Sequence, residues 1–341
     1  MHYSIQQWLL FFYIYCFFGW CFETTYVSIR KHRFVNRGFL HSPMLPIYGS
    51  GAVVMLLVTM QIRGHVVWMF FAGMVGATLL ELFVGLAMEA VFKVKYWDYS
   101  NQRFHYKGVI CLSSSLCWGL FTVLLNRYIH KPVEEFVLGL SWVTVLVIVI
   151  TVSVVFLCDT AVSVKVALGI RDMLDAKVRL KKEFEAVSEQ FSDKLLNLRE
   201  HLSESLGERF SEVGKTSVAD RLNALAEVAG NRLGALTDMA GDRLNTLVDA
   251  ANDRLNALAK HTGDQEKEEI RELSGLGERL KSLKRENESQ TKRMAYLKFK
   301  MLRRNPTATS GKFKEEFLRL REEQSKWYEN RRREKKSRKI K

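Results

Sequence analysis

Apolar residues gather in five long stretches within the first 160 positions, and the 181 positions that follow (341 − 160) contain no comparable stretch. Trp8–Val27, Pro43–Gln61, Val66–Phe92, Val109–Tyr128 and Phe136–Cys158 each approach the ~20 apolar residues with which an α-helix crosses ~30 Å of hydrocarbon. Pro43 and Pro46 open the second stretch, where a missing N–H costs little because first-turn amides have no helical partner. From Arg171 onward the pattern is that of an amphipathic helix. DRLNALAEVAG, NRLGALTDMAG, DRLNTLVDAAN and DRLNALAKHTG are four copies of an eleven-residue unit over 220–263. Eleven residues complete three turns at ~3.67 residues per turn, so the Leu and Ala stripe drifts little and predicts a nearly straight helix pair or bundle.

The predicted fold is therefore all-α. Residues 1–165 read as a polytopic transmembrane bundle of about five spans, and 171–304 as a long helical or coiled-coil arm. Pro306 stops that arm, Ser310 offers an N-cap for a short helix within 305–330, and 331–341 reads as a basic disordered tail.

Charge sets the orientation. The loop after the first stretch carries Arg30, Lys31, Arg33 and Arg37, and the loop after the third carries Lys93, Lys95, Arg103 and Lys107. The opposite loops carry Arg63, then Arg127 and Lys131. Lys and Arg resist translocation, so this bias predicts a plasma-membrane protein with its N-terminus outside and its arm in the cytosol. No basic region precedes the first stretch and no small-residue cleavage site follows it, which reads as a retained anchor. The formal net charge is +14, with 51 Lys and Arg against 37 Asp and Glu. Most of it lies in the arm, where the terminal basic run is either solvated or drawn to anionic lipid. No nucleic-acid-binding fold accompanies that run.

Within the repeat, Asp220, Glu227, Asp238, Asp242, Asp249 and Asp253 outnumber Arg221, Arg232, Arg243 and Arg254. Lipid-binding repeats carry Lys and Arg on that face instead, so self-association or a partner helix is favoured. The glycines at 230, 234, 241 and 263 each cost ~1 kcal/mol relative to Ala, which leaves the helix dependent on a partner.

Carboxylates in the apolar stretches are the candidate chemistry, since an intramembrane acid costs ~2.5–3.5 kcal/mol on insertion scales. Glu81 and Glu89 lie ~80° apart on one helix and can face a common interior; interhelical bonding, or snorkelling for Glu23 and Glu89, is the structural alternative. In the basic loops, Asn36 and Arg37 sit in a Gly- and Pro-rich run, and Trp97 and Asp98 sit in an aromatic cluster. Asp98 is a candidate partner for Arg37 across the loops, and Asp159 reads as interfacial. The five cysteines fall in the apolar stretches without disulfide spacing or His partners and read as packing residues. Val213-Gly214-Lys215-Thr216 is not a phosphate-binding loop, because Arg209 stands where a Gly is required and no strand precedes it. Neither a Ser/His/Asp set nor a metal-ligand cluster is present in the sequence pattern, so no catalytic, cofactor or metal site is expected.

Gly19-Trp20-x-x-Glu23, NRGFLHSPMLPIYG (36–49), Leu80-Glu81 with Met88-Glu89, Tyr96-Trp97-Asp98-Tyr99-Ser100, and Gly108-x-Ile110-Cys111-Leu112-x-x-Ser115-Leu116-x-Trp118-Gly119 together resemble the bacterial ABC transporter permease family of type IV. The resemblance covers roughly residues 5–165 and, more faintly, Asn305-Pro306-Thr307-Ala308-Thr309-Ser310. It implies a multi-pass plasma-membrane protein, with Glu23, Asn36, Arg37, Glu81, Trp97 and Asp98 on motif positions. Solute transport with a separate ATP-binding subunit is the function it implies. Val109 departs from the family pattern where an Arg is expected, and Ser113 where a Pro is expected; the first weakens any shared charge pair. A membrane-anchored coiled-coil scaffold without transport activity is the competing expectation.

Overall fold

Ser4 starts the first helix with a capping box. Its hydroxyl accepts the Gln7 N–H at 3.3 Å, and the Gln7 side chain accepts the Ser4 N–H at 2.8 Å. In this computed structural model the chain then forms α1 (Ile5–Arg30), α2 (Pro46–Thr59) and α3 (Val66–Phe92). A two-stranded antiparallel pair, β1 (His105–Tyr106) and β2 (Ile110–Cys111), leads into α4 (Leu112–Leu124). A π-helical turn, Leu125–Ile129, joins α4 to α5 (His130–Gly139). Then come α6 (Trp142–Arg209), α7 (Asp264–Arg293), α8 (Ala295–Arg304) and α9 (Lys314–Ile340). The structure describes residues 3–62, 64–209, 248–250, 252–253, 255–256, 264–293 and 295–340. Most of the eleven-residue repeat at 220–263 therefore lies outside the described residues.

Among the described residues, three helices are long and apolar enough to cross a membrane: α1, α3 and the Trp142–Leu198 part of α6. Helix α2 is apolar but has 14 residues, fewer than the ~20 of a full crossing. The stretch predicted from Val109 passes from a turn through β2 and becomes helical only at Leu112. The stretch predicted from Phe136 is divided, because α5 ends at Gly139 and Ser141 starts α6 by accepting the Thr144 N–H at 3.2 Å.

The chain divides into two units, Met1–Leu174 with Ala295–Lys341, and Asp175–Met294. In the first, glycines set the helix spacing. A Cβ on Gly49 would lie 2.6 Å from the Phe12 carbonyl oxygen, and one on Gly73 would lie 1.9 Å from the Thr122 hydroxyl. Small residues let helices approach this closely where lipid supplies no hydrophobic drive for their association. Leu10, Phe11, Met55, Leu56, Ala77, Leu125, Val137 and Val149 form the buried core, while Phe17, Phe22, Phe83 and Val154 face outward. Outward-facing aromatics and aliphatics suit a lipid surround.

At one end of this unit, Thr59 at the end of α2 donates to Asn126 Oδ1 at 3.1 Å. At the other end, the loops after α1 and α3 both bond to residues 304–310. Asp159 of α6 joins them, accepting the backbone N–H groups of His41 at 3.1 Å and Ser42 at 2.6 Å. Asp159 thus fastens the His41-Ser42 turn to α6.

In the second unit, Glu183 pairs with Arg279, Lys194 with Glu272 and His201 with Glu269. Rising numbers on α6 meet falling numbers on α7, so the helices are antiparallel. Phe191, Leu195 and Leu198 of α6 are buried, as are Ile270, Leu273, Leu280 and Leu283 of α7, with the three- and four-residue spacing of an interhelical seam. Helix α9 continues past Tyr328 through most of 331–341, which the sequence pattern assigns to a disordered tail.

Candidate functional site

Met69, Gly73, Ala77, Glu81 and Gly85 recur every four residues along α3, and all five are buried. Four-residue spacing puts them on one face, and that face meets α4 and the loop before it. A Cβ on Gly85 would lie 2.2 Å from Val109, and one on Gly119 of α4 would lie 2.7 Å from Phe70. Close approach of the two backbones leaves Glu81 inside the seam, 4 % exposed.

Three neutral groups satisfy its carboxylate. Trp118 Nε1 donates to Oε2 at 3.0 Å, Ser114 Oγ to Oε2 at 3.3 Å, and the Tyr99 hydroxyl to Oε1 at 3.2 Å. Burial, then the charge of Glu81, pushes the Tyr99 phenol above its ordinary range and keeps it a proton donor. Among the described residues, no cation pairs with Glu81. Val109 packs at 2 % exposure beside this seam, and its carbonyl accepts Trp97 Nε1 at 2.9 Å.

Glu23 is the neighbouring carboxylate. Oε1 accepts Arg37 Nε at 3.2 Å and Oε2 accepts the Tyr48 hydroxyl at 2.7 Å. The Tyr48 ring stands 5.7 Å from the Trp118 ring, so Tyr48 and Trp118 connect the two acids. Glu89 does not join them. It pairs with Lys95 at 3.8 Å and stays partly exposed, so the interior shared by Glu81 and Glu89 that the helix spacing allows does not form.

Arg37 and Asp98 do not pair either. Arg37 spends its donors on Glu23, the Arg304 carbonyl at 3.3 Å, Asn305 Oδ1 at 3.3 Å and Thr307 Oγ1 at 3.2 Å. Asp98 accepts Ser100 N–H at 2.9 Å, Ser100 Oγ at 2.5 Å and Thr309 Oγ1 at 2.9 Å. Burial acts to raise the Asp98 pKa, but the Ser100 and Thr309 bonds and the Lys95 charge outweigh it and hold the group below the usual carboxylate range. The two residues meet through 305–309 rather than directly.

The same segment ties both loops. Asn305 Nδ2 donates to the Gly38 carbonyl at 3.2 Å, Lys95 and Thr309 exchange backbone bonds at 2.8 and 2.9 Å, and Ser310 Oγ donates to the Lys93 carbonyl at 2.6 Å. Asn36 holds the first loop's shape, accepting Trp20 Nε1 at 2.6 Å and donating to the His41 carbonyl at 3.2 Å. Sequence reasoning missed Tyr48, Ser114, Arg304, Thr307 and Thr309 as partners. The four-residue stripe of small residues in register with Glu81 was the signal that could have located the seam. Among the described residues, no group of three or more His, Cys, Asp or Glu is arranged to hold a metal.

The family described as Putative ABC-transporter type IV matches residues 10–164, the family that the motifs resemble. That is 155 of 341 positions (164 − 10 + 1), covering Glu23, the two basic loops, Glu81 and α4, but not 305–310. No curated protein and no solved structure matches the chain.

Proposed function

We propose that this chain is the membrane-spanning subunit of a solute transporter, with the Glu81 carboxylate in the α3–α4 seam as the polar point of its pathway. One observation carries this reading: a carboxylate buried among helices is held by three neutral donors and, among the described residues, no cation. Structural acids in lipid are commonly paired with a base or turned to an interface, whereas an uncompensated one is suited to take up a proton or a cationic solute. The match to a transporter family supports the same class.

In this reading the chain crosses the plasma membrane about five times, α2 and α4 serving as short crossings beside α3. The N-terminus lies outside, and the basic loops and the arm lie in the cytosol. The shared attachment of both basic loops to 304–310 supports placing these segments on one side of the membrane. A separate ATP-binding subunit energises transport, as the match to an ABC-transporter family suggests. The α6–α7 pair and the repeat serve self-association or docking of a partner helix, and anionic lipid meets the basic terminus.

Replacing Glu81 with Gln in the full chain and measuring uptake and efflux over a broad solute panel tests the pathway. The expected result is a loss of at least tenfold for one solute class with folded protein retained. Unchanged flux for every solute removes Glu81 from the pathway.

The scaffold reading keeps one specific support. Arg37, Asn36 and Asp98 are occupied in fastening loops and 305–309, which is structural work. If removing residues 175–294 abolishes the cellular phenotype while Glu81→Gln does nothing, the scaffold reading replaces the transport one.

A further inference from the structure

Arg304, the last residue of α8, is 3 % exposed, and only one of its three side-chain nitrogens is satisfied. Nη1 donates to the Leu40 carbonyl at 2.6 Å. Nε and Nη2, which form the other edge of the guanidinium, are buried without a partner. A buried donor left unpaired forfeits its hydration with no return, so such an edge calls for a ligand or a reason. The Nε/Nη2 edge is the planar fork that receives two oxygens of one carboxylate or phosphate.

The neighbouring side chain repeats the pattern. His41 follows Leu40, and its Nδ1 faces Asp159 at 3.1 Å and Ser163 at 3.0 Å, while its Nε2 is buried and unpartnered. Arg304 and Lys300, one helical turn apart on α8, both lie near enough to act on the imidazole. After burial, their charges push its pKa down, against the opposing pull of Asp159. Asp159 itself is fully engaged by His41, Ser42 and Ser163. Arg37 is paired with Glu23, and the Asp159 charge bears on Arg304. Arg321 is spent on the carbonyls of Asn305, Pro306 and Ala308, which leaves the Arg304 edge as the open one.

We infer that the Arg304 Nε/Nη2 edge and His41 Nε2 form an oxyanion site, suited to a phosphate group, between α8 and the Leu40–Ser42 turn. Its position at the end of the unit where α6 leaves its apolar stretch allows two sources of phosphate, the headgroup of an anionic lipid or free inorganic phosphate. A protonated imidazole donates to a phosphate oxygen, so an occupied site holds His41 protonated to higher pH than an empty one. The charged groups that bear on His41 in this exchange are Asp159, Arg304 and Lys300.

The test uses the full chain in uncharged detergent, titrated calorimetrically with inorganic phosphate, and the same chain in phosphatidylcholine vesicles with and without phosphatidylglycerol, followed by native mass spectrometry of retained lipid. Arg304→Lys keeps the charge but removes the fork, and should weaken whichever ligand binds by at least tenfold. Arg321→Lys should leave that affinity unchanged. Saturable phosphate binding that Arg304→Lys weakens identifies a free-phosphate site. Retention of phosphatidylglycerol alone, lost in Arg304→Lys, identifies a headgroup site. Should Arg304→Lys fail to fold, His41→Gln carries the test, with the same loss expected. Binding of neither ligand, or equal binding by wild type and these variants, overturns the inference.

Discussion

Replacing Arg37 with Ala removes three bonds to the C-terminal segment in one change: those to the Arg304 carbonyl, Asn305 Oδ1 and Thr307 Oγ1, at 3.3, 3.3 and 3.2 Å. These are long for charge-assisted bonds, so a net value of ~1 kcal/mol each applies, or ~3 kcal/mol together. At ~1.4 kcal/mol per decade, that multiplies the open population of the segment ~100-fold. The readout is local. Thr309 N–H donates to the Lys95 carbonyl at 2.9 Å and Lys95 N–H to the Thr309 carbonyl at 2.8 Å, so these amides exchange when the segment leaves the loop. Hydrogen exchange on the full chain should show their protection falling by about two decades in Arg37→Ala, with α3 amides near Glu81 little changed. Arg37→Lys, which keeps a charge but not the fork, should fall between the two. Unchanged protection at Thr309 in a folded Arg37→Ala protein would refute the claim that Arg37 fastens the segment.

Three further outcomes follow from single contacts. Gly49→Ala drives a Cβ to 2.6 Å from the Phe12 carbonyl oxygen, whereas a Cβ on Gly51 meets Trp118 no closer than 3.6 Å. The first should lower stability in detergent by ~1–3 kcal/mol or more and the second by much less, as thermal melts would record. Asp98 titrates below its ordinary 3.8, so its contribution to docking Thr309 is complete above that value and fades as pH falls through the depressed one. Exchange at Thr309 should therefore be flat from neutral pH to about pH 5 after correction for intrinsic rates and rise below about pH 4, and Asp98→Asn should abolish that rise. Trp97→Phe leaves the buried Val109 carbonyl without its donor and should cost ~1–3 kcal/mol in the same melts, with flux unaffected if Trp97 serves only the loop.

The apolar runs of α1 and α3 were legible because each is a long helix in one piece. The π-helical turn at Leu125–Ile129 was not, since it carries neither Gly nor Pro to mark it, and the break at Leu140-Ser141 is marked only by Gly139, one small residue inside an apolar run. Glu81 was visible as a carboxylate in an apolar run. Its donors come from α4 and from a loop, and no spacing rule links residues 18, 33 and 37 positions apart. The Arg37–Asp98 pairing failed for the same reason. Both residues lie in basic loops on the same end of the helices, but their partners come from Asn305–Thr309, more than 200 positions away. Arg304 sat within a charged run, and nothing local distinguishes this buried Arg from the exposed Lys300 one turn before it.

Sidedness is what the whole account rests on, and cysteine accessibility reads it most directly. In a background with the five native cysteines replaced, Gly64→Cys lies in open space between α2 and α3, and Gln102→Cys lies in the exposed basic loop after α3. A membrane-impermeant maleimide should label Gly64→Cys in intact cells and reach Gln102→Cys only after permeabilisation. Labelling of Gln102→Cys in intact cells would contradict the account.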